Sequence, residues 1–290
     1  MTAPGTPRLT PPSVPPLDLV FSTCPNDTFL FHAWACGLLT DAPAVRVRHA
    51  DVDEANALAE AGAPDVVKVS YGAVPWLLAD YRLLPAGGAL GRGCGPLVLT
   101  DGDRRVRRRR DLRNARIAVP GERTTAYLLL RLWAREHGLG SVDVLPFPEI
   151  MPAVAAGRYD AGLVIHEARF TFARYGLSCL IDLGAWWEKE TGLPIPLGAI
   201  LARRTVDAAP ITTALQRSVD RAWARPTASA AYVASLAQEM SPDVIAAHIG
   251  LYVTAATREM GDDDYAAVRT LLERAAAERL VPAVAADAWR

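Results

Sequence analysis

Apolar and polar positions along the chain fall into a repeated alternation of short strands and longer helices. Residues 17–21, LDLVF, form the first apolar run, and an apolar helical stretch over 29–38 follows it. Residues 45–51, VRVRHAD, alternate apolar and polar side chains with the period of two that a strand with one wet face requires. A helix is predicted over 53–61, a strand over 65–69 and another helix from Ala73. A glycine-rich segment, 87–96, then leads into a strand at 97–100. The pattern repeats as strand 116–119, helix 126–137, strand 142–147, helix 149–156 and strand 163–165, with a helix starting at Glu167 or Ala168. Strands 178–183 and 197–202 flank a helix opened by Trp186 and Trp187. From Asp207 the chain is helical, over 210–224, 227–240, 242–254 and 262–278, with Ser-Pro and Gly-Asp breaks between.

Strands alternating with helices predict an α/β architecture. Two glycine- or proline-rich crossings, near 97–102 and 193–198, divide it into two lobes. The expected division is 17–100 with 199–290 as a large discontinuous lobe and 101–198 as a small one, hinged so that a ligand cleft lies between them. Residues 1–16, rich in proline and hydroxyl side chains, are expected to be a disordered tail. That tail lacks the apolar core of an export signal, which points to the cytoplasm. No stretch approaches the ~18–20 apolar residues of a membrane span.

Composition narrows the partners. The 290 residues are 51% hydrophobic and carry 31 basic against 32 acidic side chains, a net charge of −1. No whole-protein field therefore favours nucleic acid or an anionic membrane. The basic run 104–110, broken only by Val106, has no interleaved aromatics and reads as a solvated loop at the lobe boundary. Cys24, Cys36, Cys94 and Cys179 form no C-x-x-C pair, so reduced thiols are expected, and no ligands stand at zinc spacing. A monomer or homodimer acting on a small molecule is the expectation that remains.

In open α/β sheets ligands sit at the carboxyl ends of strands, where helix N-termini point free N–H groups into a crevice. Four such ends carry suggestive residues. Asn26 and Asp27 follow the first strand, as ligand contacts or as a plain helix cap. Lys68, Val69 and Ser70 close another, where an apolar strand must give the lysine a partner or a route to water. Thr124 and Thr125 precede the helix at 126, and His166 ends the strand 163–165. A histidine titrates near neutrality, so one among hydroxyls and helix N-termini suits proton abstraction beside a carboxylate-bearing small molecule. Cys24 is read as a small buried thiol rather than a nucleophile, His49 as solvated and His248 as helix packing.

Several motifs in order carry a resemblance: Cys24-Pro25-Asn26-Asp27-Thr28-Phe29, Lys68-Val69-Ser70-Tyr71, the glycines from Gly87 to Gly93, Pro120-Gly121 with Thr124-Thr125-Ala126-Tyr127, and Ile165-His166-Glu167-Ala168-Arg169. Asp182-Leu183-Gly184-Ala185-Trp186-Trp187 and Thr191-Gly192-Leu193-Pro194 continue it. Over about 17–257 the chain resembles the 1,4-dihydroxy-6-naphthoate synthases of the futalosine route to menaquinone. The resemblance implies a two-lobed fold like periplasmic binding proteins of the second structural type. It implies a cofactor-free, metal-free lyase acting on cyclic dehypoxanthine futalosine, with His166 as proton acceptor and 68–70 and 124–125 as substrate-binding segments. Thr23, the arginine-rich loop and the proline-rich tail depart from the family pattern but leave those positions intact. Two other readings stay open, a chorismate dehydratase of the same route and a binding protein that closes on a small carboxylate without chemistry.

Overall fold

The computed structural model describes residues 15–102, 106–166, 168–237 and 241–285. The tail expected over 1–16 therefore lies, up to residue 14, outside the described residues, as do parts of the arginine-rich loop and Glu167.

Two sheets form the frame. The first contains β1 (Leu17–Phe21), β2 (Val45–His49), β3 (Val66–Ser70), β4 (Tyr81–Leu83), β5 (Ala89–Gly91) and, from much later in the chain, β11 (Ile195–Arg203). β1 pairs in parallel with β2 and β3, and β11 closes antiparallel on β3, β4 and β5. The second sheet runs in the order β10 (Ser178–Asp182), β6 (Leu97–Thr100), β9 (Ala161–Val164), β7 (Arg116–Val119), β8 (Ser141–Val144). β7 lies parallel to both β8 and β9, whereas β6 is antiparallel to β9 and β10. β3, VVKVS, is buried at every position, which suits β-branched residues in the middle of a sheet covered on both faces.

The helices of the first half are α1 (Pro25–Ala35), α2 (Val52–Glu60), α3 (Val74–Leu77), α4 (Thr125–Ala134), α5 (Phe147–Ala155) and α6 (Ala168–Thr171). Those that follow are α7 (Leu183–Thr191), α8 (Ala208–Ala224), α9 (Ala230–Leu236), α10 (Pro242–Tyr252), α11 (Ala255–Arg258) and α12 (Asp262–Ala277). Caps explain many of their limits: Thr124 accepts from the Tyr127 amide, Asp182 from Gly184 and Ala185, and Ser241 from Val244. α7 stops at Gly192, whose φ of +71° only glycine adopts without strain. One apolar cluster, with Leu19, Phe21, Phe31, Trp34 and Leu215, fills the space between the first sheet, α1 and α8. Another joins Val67 and Leu201 of the first sheet to Ile117 and Leu163 of the second, so the sheets share a continuous core. No helix among the described residues is long and apolar enough to cross a membrane.

Several elements differ from the sequence expectation. The first helix begins at Pro25 rather than at residue 29, because proline already carries helical φ and has no N–H to leave unpaired at a first turn. The strand expected over 142–147 ends at Val144, since Phe147-Pro148 opens α5 in the same way. Pro226–Ser229 forms a 3₁₀ turn ahead of the shorter α9. The glycine-rich segment contains β5, and β4 precedes it, both held by β11. The chain changes sheets over 92–96 and 183–194, earlier than the lobe limits expected at 100/101 and 198/199, because Leu97–Thr100 hydrogen-bonds in the second sheet and β11 starts at Ile195.

Candidate active site

The carboxyl ends of β1 and β3 from one sheet and of β7 and β9 from the other meet at a cleft, which has two compartments. An inner chamber of about 80 Å³ is lined by all the residues singled out from sequence: Asn26, Asp27, Lys68, Val69, Ser70, Thr124, Thr125 and His166. An outer bay of about 270 Å³ has an apolar wall of Val144, Leu145, Pro146, Phe147 and Pro148, faced by Cys24, Asp51 and Asp53. His166, with Val52 and Ile165, borders both.

His166 owes that place to its backbone. β9 ends at Val164 and α6 begins at Ala168, so the chain turns from strand to helix within three residues, and His166 takes φ of +51°. A non-glycine residue in this region costs about 1–2 kcal/mol. The imidazole meets Phe147 edge-on at 5.7 Å between ring centres and stacks beside His248 at 6.1 Å.

The chamber floor is a buried polar network. Lys68 forms an ion pair with Asp27 Oδ1, and the other oxygen of Asp27 accepts from the Ser22 hydroxyl at 2.7 Å and the Ser22 amide at 3.4 Å. Asn26 Nδ2 donates to Asp27 Oδ1 at 2.8 Å. Asp27 also lies in the first turn of α1, where the helix dipole favours a carboxylate. Neither Asn26 nor Asp27 caps that helix with its side chain: Cys24 holds the cap position and no side-chain cap bond forms.

The threonine pair is differently employed than its hydroxyls suggest. Thr124 Oγ1 donates to the Gly121 carbonyl at 2.8 Å, and Thr125 Oγ1 donates to the Leu197 carbonyl at 2.8 Å while accepting from the Gly72 amide at 3.1 Å. Both hydroxyl protons are therefore committed to the protein. What this end offers a ligand is the first amides of α4, which have no carbonyl a turn earlier to bond. Ser70 caps nothing, because α3 starts after Ala73 without a side-chain cap, and its amide is fixed by Asn56 Oδ1 at 3.0 Å.

Sequence reasoning missed Asn56, Ser22 and His248. Asn56 shares the buried face of α2 with Ala55 and Ala59, and a polar residue on such a stripe was the available signal. It also reaches the Arg123 carbonyl at 3.4 Å, a bond from α2 to the loop between β7 and α4. His248 is fully buried, with Nε2 3.0 Å from Asn26 Oδ1. Burial first, and then the charges of His166 and Lys68, push its imidazole down to about 3. Burial likewise pushes the Cys94 thiol, on the chamber wall, up to about 12, so it stays protonated and unreactive. Among the described residues no three His, Cys, Asp or Glu side chains cluster as a metal site.

A family model described as menaquinone biosynthesis matches residues 17–277. Proteins named 1,4-dihydroxy-6-naphthoate synthase from Streptomyces coelicolor and Thermus thermophilus are 56% and 44% identical, over 94% and 91% of this chain and 97% and 95% of theirs. Among solved structures, an Archaeoglobus fulgidus protein superposes with a TM-score of 0.85 at 30% identity, covering 91% of this chain and 98% of its own. A Candida albicans protein described as having the generic periplasmic binding protein fold superposes with a TM-score of 0.70 at 13% identity, over 95% of this chain and 94% of that one. The fold is thus the two-lobed, periplasmic-binding-protein-like one.

Proposed function

The chain belongs to the menaquinone biosynthesis family, and from that premise we propose that it is a carbon–carbon lyase converting cyclic dehypoxanthine futalosine to 1,4-dihydroxy-6-naphthoate and dihydroxyacetone. The observation that carries the reading is the place of His166, held in a left-handed turn on the border between a polar chamber and an apolar bay. A substrate that couples an aromatic-forming ring system to an oxygen-rich three-carbon unit matches that division. His166 acts as general base, taking a proton activated by a neighbouring carbonyl. The bond to the three-carbon unit then breaks as in a retro-aldol reaction: the hydroxyl on the departing carbon becomes the ketone of dihydroxyacetone, its proton passes to the ring carbonyl oxygen that takes up the bond's electron pair, and the ring system aromatises. The free amides at the start of α4 and the Ser70 hydroxyl hold the carboxylate and the sugar-derived oxygens, above the Lys68–Asp27 floor. The lobes, proposed to part at the two sheet crossings, close over the substrate and exclude water. The protein works in the cytoplasm and without a cofactor.

Purified protein incubated with the cyclic substrate, without added metal or cofactor, is expected to release dihydroxynaphthoate detectable by mass spectrometry. A positioned general base is typically worth about 10²–10⁴-fold, so His166→Ala should bind substrate yet lose at least a hundredfold in kcat. Full turnover by that variant removes His166 from the mechanism. Tight binding without product by the wild type returns the chain to a binding role, and turnover of chorismate instead assigns it to the dehydratase.

A further inference from the structure

Beneath the inner chamber, residues from distant segments form one continuous buried row. Asp27, a carboxylate, only accepts hydrogen bonds, so Asn26 must turn its NH₂ toward it, as the 2.8 Å contact shows. The Asn26 carbonyl oxygen then faces His248 Nε2 at 3.0 Å. Two acceptors cannot share a hydrogen bond, so Nε2 carries the proton. Nδ1 is buried and has no hydrogen-bond partner among the described residues. A second proton there would place a charge in a fully buried site, facing Lys68 from β3 and His166 from the β9 turn, with Tyr252 of its own helix 4.6 Å away and Asp27 already occupied by Lys68.

We propose that His248 is a positioning residue for the reaction: as the neutral Nε2–H tautomer it fixes the Asn26 amide, and through it the Asp27–Lys68 floor of the substrate chamber. Its uncharged ring, nearly parallel to that of His166 at 22°, also leaves the base free to acquire a positive charge. The activity part of this assignment rests on the lyase reading above, whereas the tautomer does not.

Two measurements test it. Long-range ¹H–¹⁵N NMR of the wild-type protein, with His248 assigned by loss of its signals in His248→Gln, should show an Nε2–H imidazole that does not titrate between pH 5 and pH 8. A protonated Nδ1 in that range overturns the assignment. In steady-state kinetics, His248→Phe keeps a flat ring but removes the donor, leaving a buried carbonyl unpaired, and should lose roughly tenfold to a hundredfold in kcat/KM, mainly through KM. His248→Gln places an NH₂ within reach of Asn26 and should recover to within about threefold of wild type. Two equally impaired variants, or two unimpaired ones, would show that the row does nothing beyond packing. Should the wild type leave the cyclic substrate unchanged, the lyase reading fails while the NMR result still decides the tautomer.

Discussion

Removing either partner of the buried Lys68–Asp27 pair should destabilise the protein, and by unequal amounts. The two side chains are 9% and 5% exposed, so solvent screens them little. Breaking such a pair from one side typically costs about 3–5 kcal/mol, because the surviving charge is left in a poorly polarisable site. The surroundings decide which end of that range applies. In Lys68→Met the Asp27 carboxylate keeps the Ser22 hydroxyl at 2.7 Å, the Asn26 NH₂ at 2.8 Å, the Ser22 amide at 3.4 Å and the N-terminal end of α1, which places the cost near about 3 kcal/mol. In Asp27→Asn the ammonium of Lys68 loses its carboxylate, and no second acid pairs with it among the described residues, which places the cost at about 5 kcal/mol. The double variant carries no buried charge and should cost well under the sum of the two. Urea unfolding of wild type, both single variants and the double gives the four free energies of the cycle. A Lys68→Met as damaging as Asp27→Asn, or single costs that add without coupling, would refute the account of the floor.

Acidification should expose the neutral burial of His248. Its imidazole is held near 3 when folded against 6.5 when free, so between these values the unfolded chain binds the extra proton and stability falls as pH falls. The loss reaches about 2.5 kcal/mol between pH 7.5 and pH 4.5, and His248→Gln should show a correspondingly shallower pH dependence in denaturant melts. Gly72 packs where an added Cβ would lie 2.9 Å from the Thr124 carbonyl and the Thr125 nitrogen. Gly72→Ala must push the start of α4 away from β3, and kcat/KM should drop by about tenfold to a hundredfold with little change in the urea midpoint. An unchanged kcat/KM would show that this spacing does not set the site.

How much of this was legible in the chain depended on whether the information was local. β1, β6 and β7 lie at the residues their apolar runs predict, because a short β-branched run between turn residues has few other uses. β4 and β5 were not legible: three residues each, one of them glycine-flanked, they are strands only because β11 runs beside them. The sheet to which Leu97–Thr100 belongs is likewise settled by partners at Ala161–Val164 and Ser178–Asp182 rather than by its own side chains. At the site, strand-end position was enough to collect Asn26, Ser70, Thr124 and His166 into one chamber. The contact between Asn26 and His248 spans 222 residues of sequence, and a histidine on an apolar helix carries no mark of such a partner.

The frame of the fold supplies most of what this site needs. Strand ends bring helix N-termini to a cleft between two sheets, and their amides meet negative charge without reorganising. Binding alone, however, asks for no histidine in a strained turn. His166 takes its strained turn at a place that borders both the polar chamber and the apolar bay. A regular strand or helix there would direct the side chain into the core that Leu163 and Val164 already fill. The buried row behind it answers a second difficulty, since a cationic lysine close to a base would oppose proton uptake. Asp27 neutralises Lys68, and Asn26 joins that pair to an uncharged His248, so the lysine is a fixed polar anchor in the floor, and in the proposed reaction a charge on His166 would meet a neutral ring. On the proposed reading, proton transfer falls to His166, while the row Lys68–Asp27–Asn26–His248 behind it holds the floor on which the ligand rests.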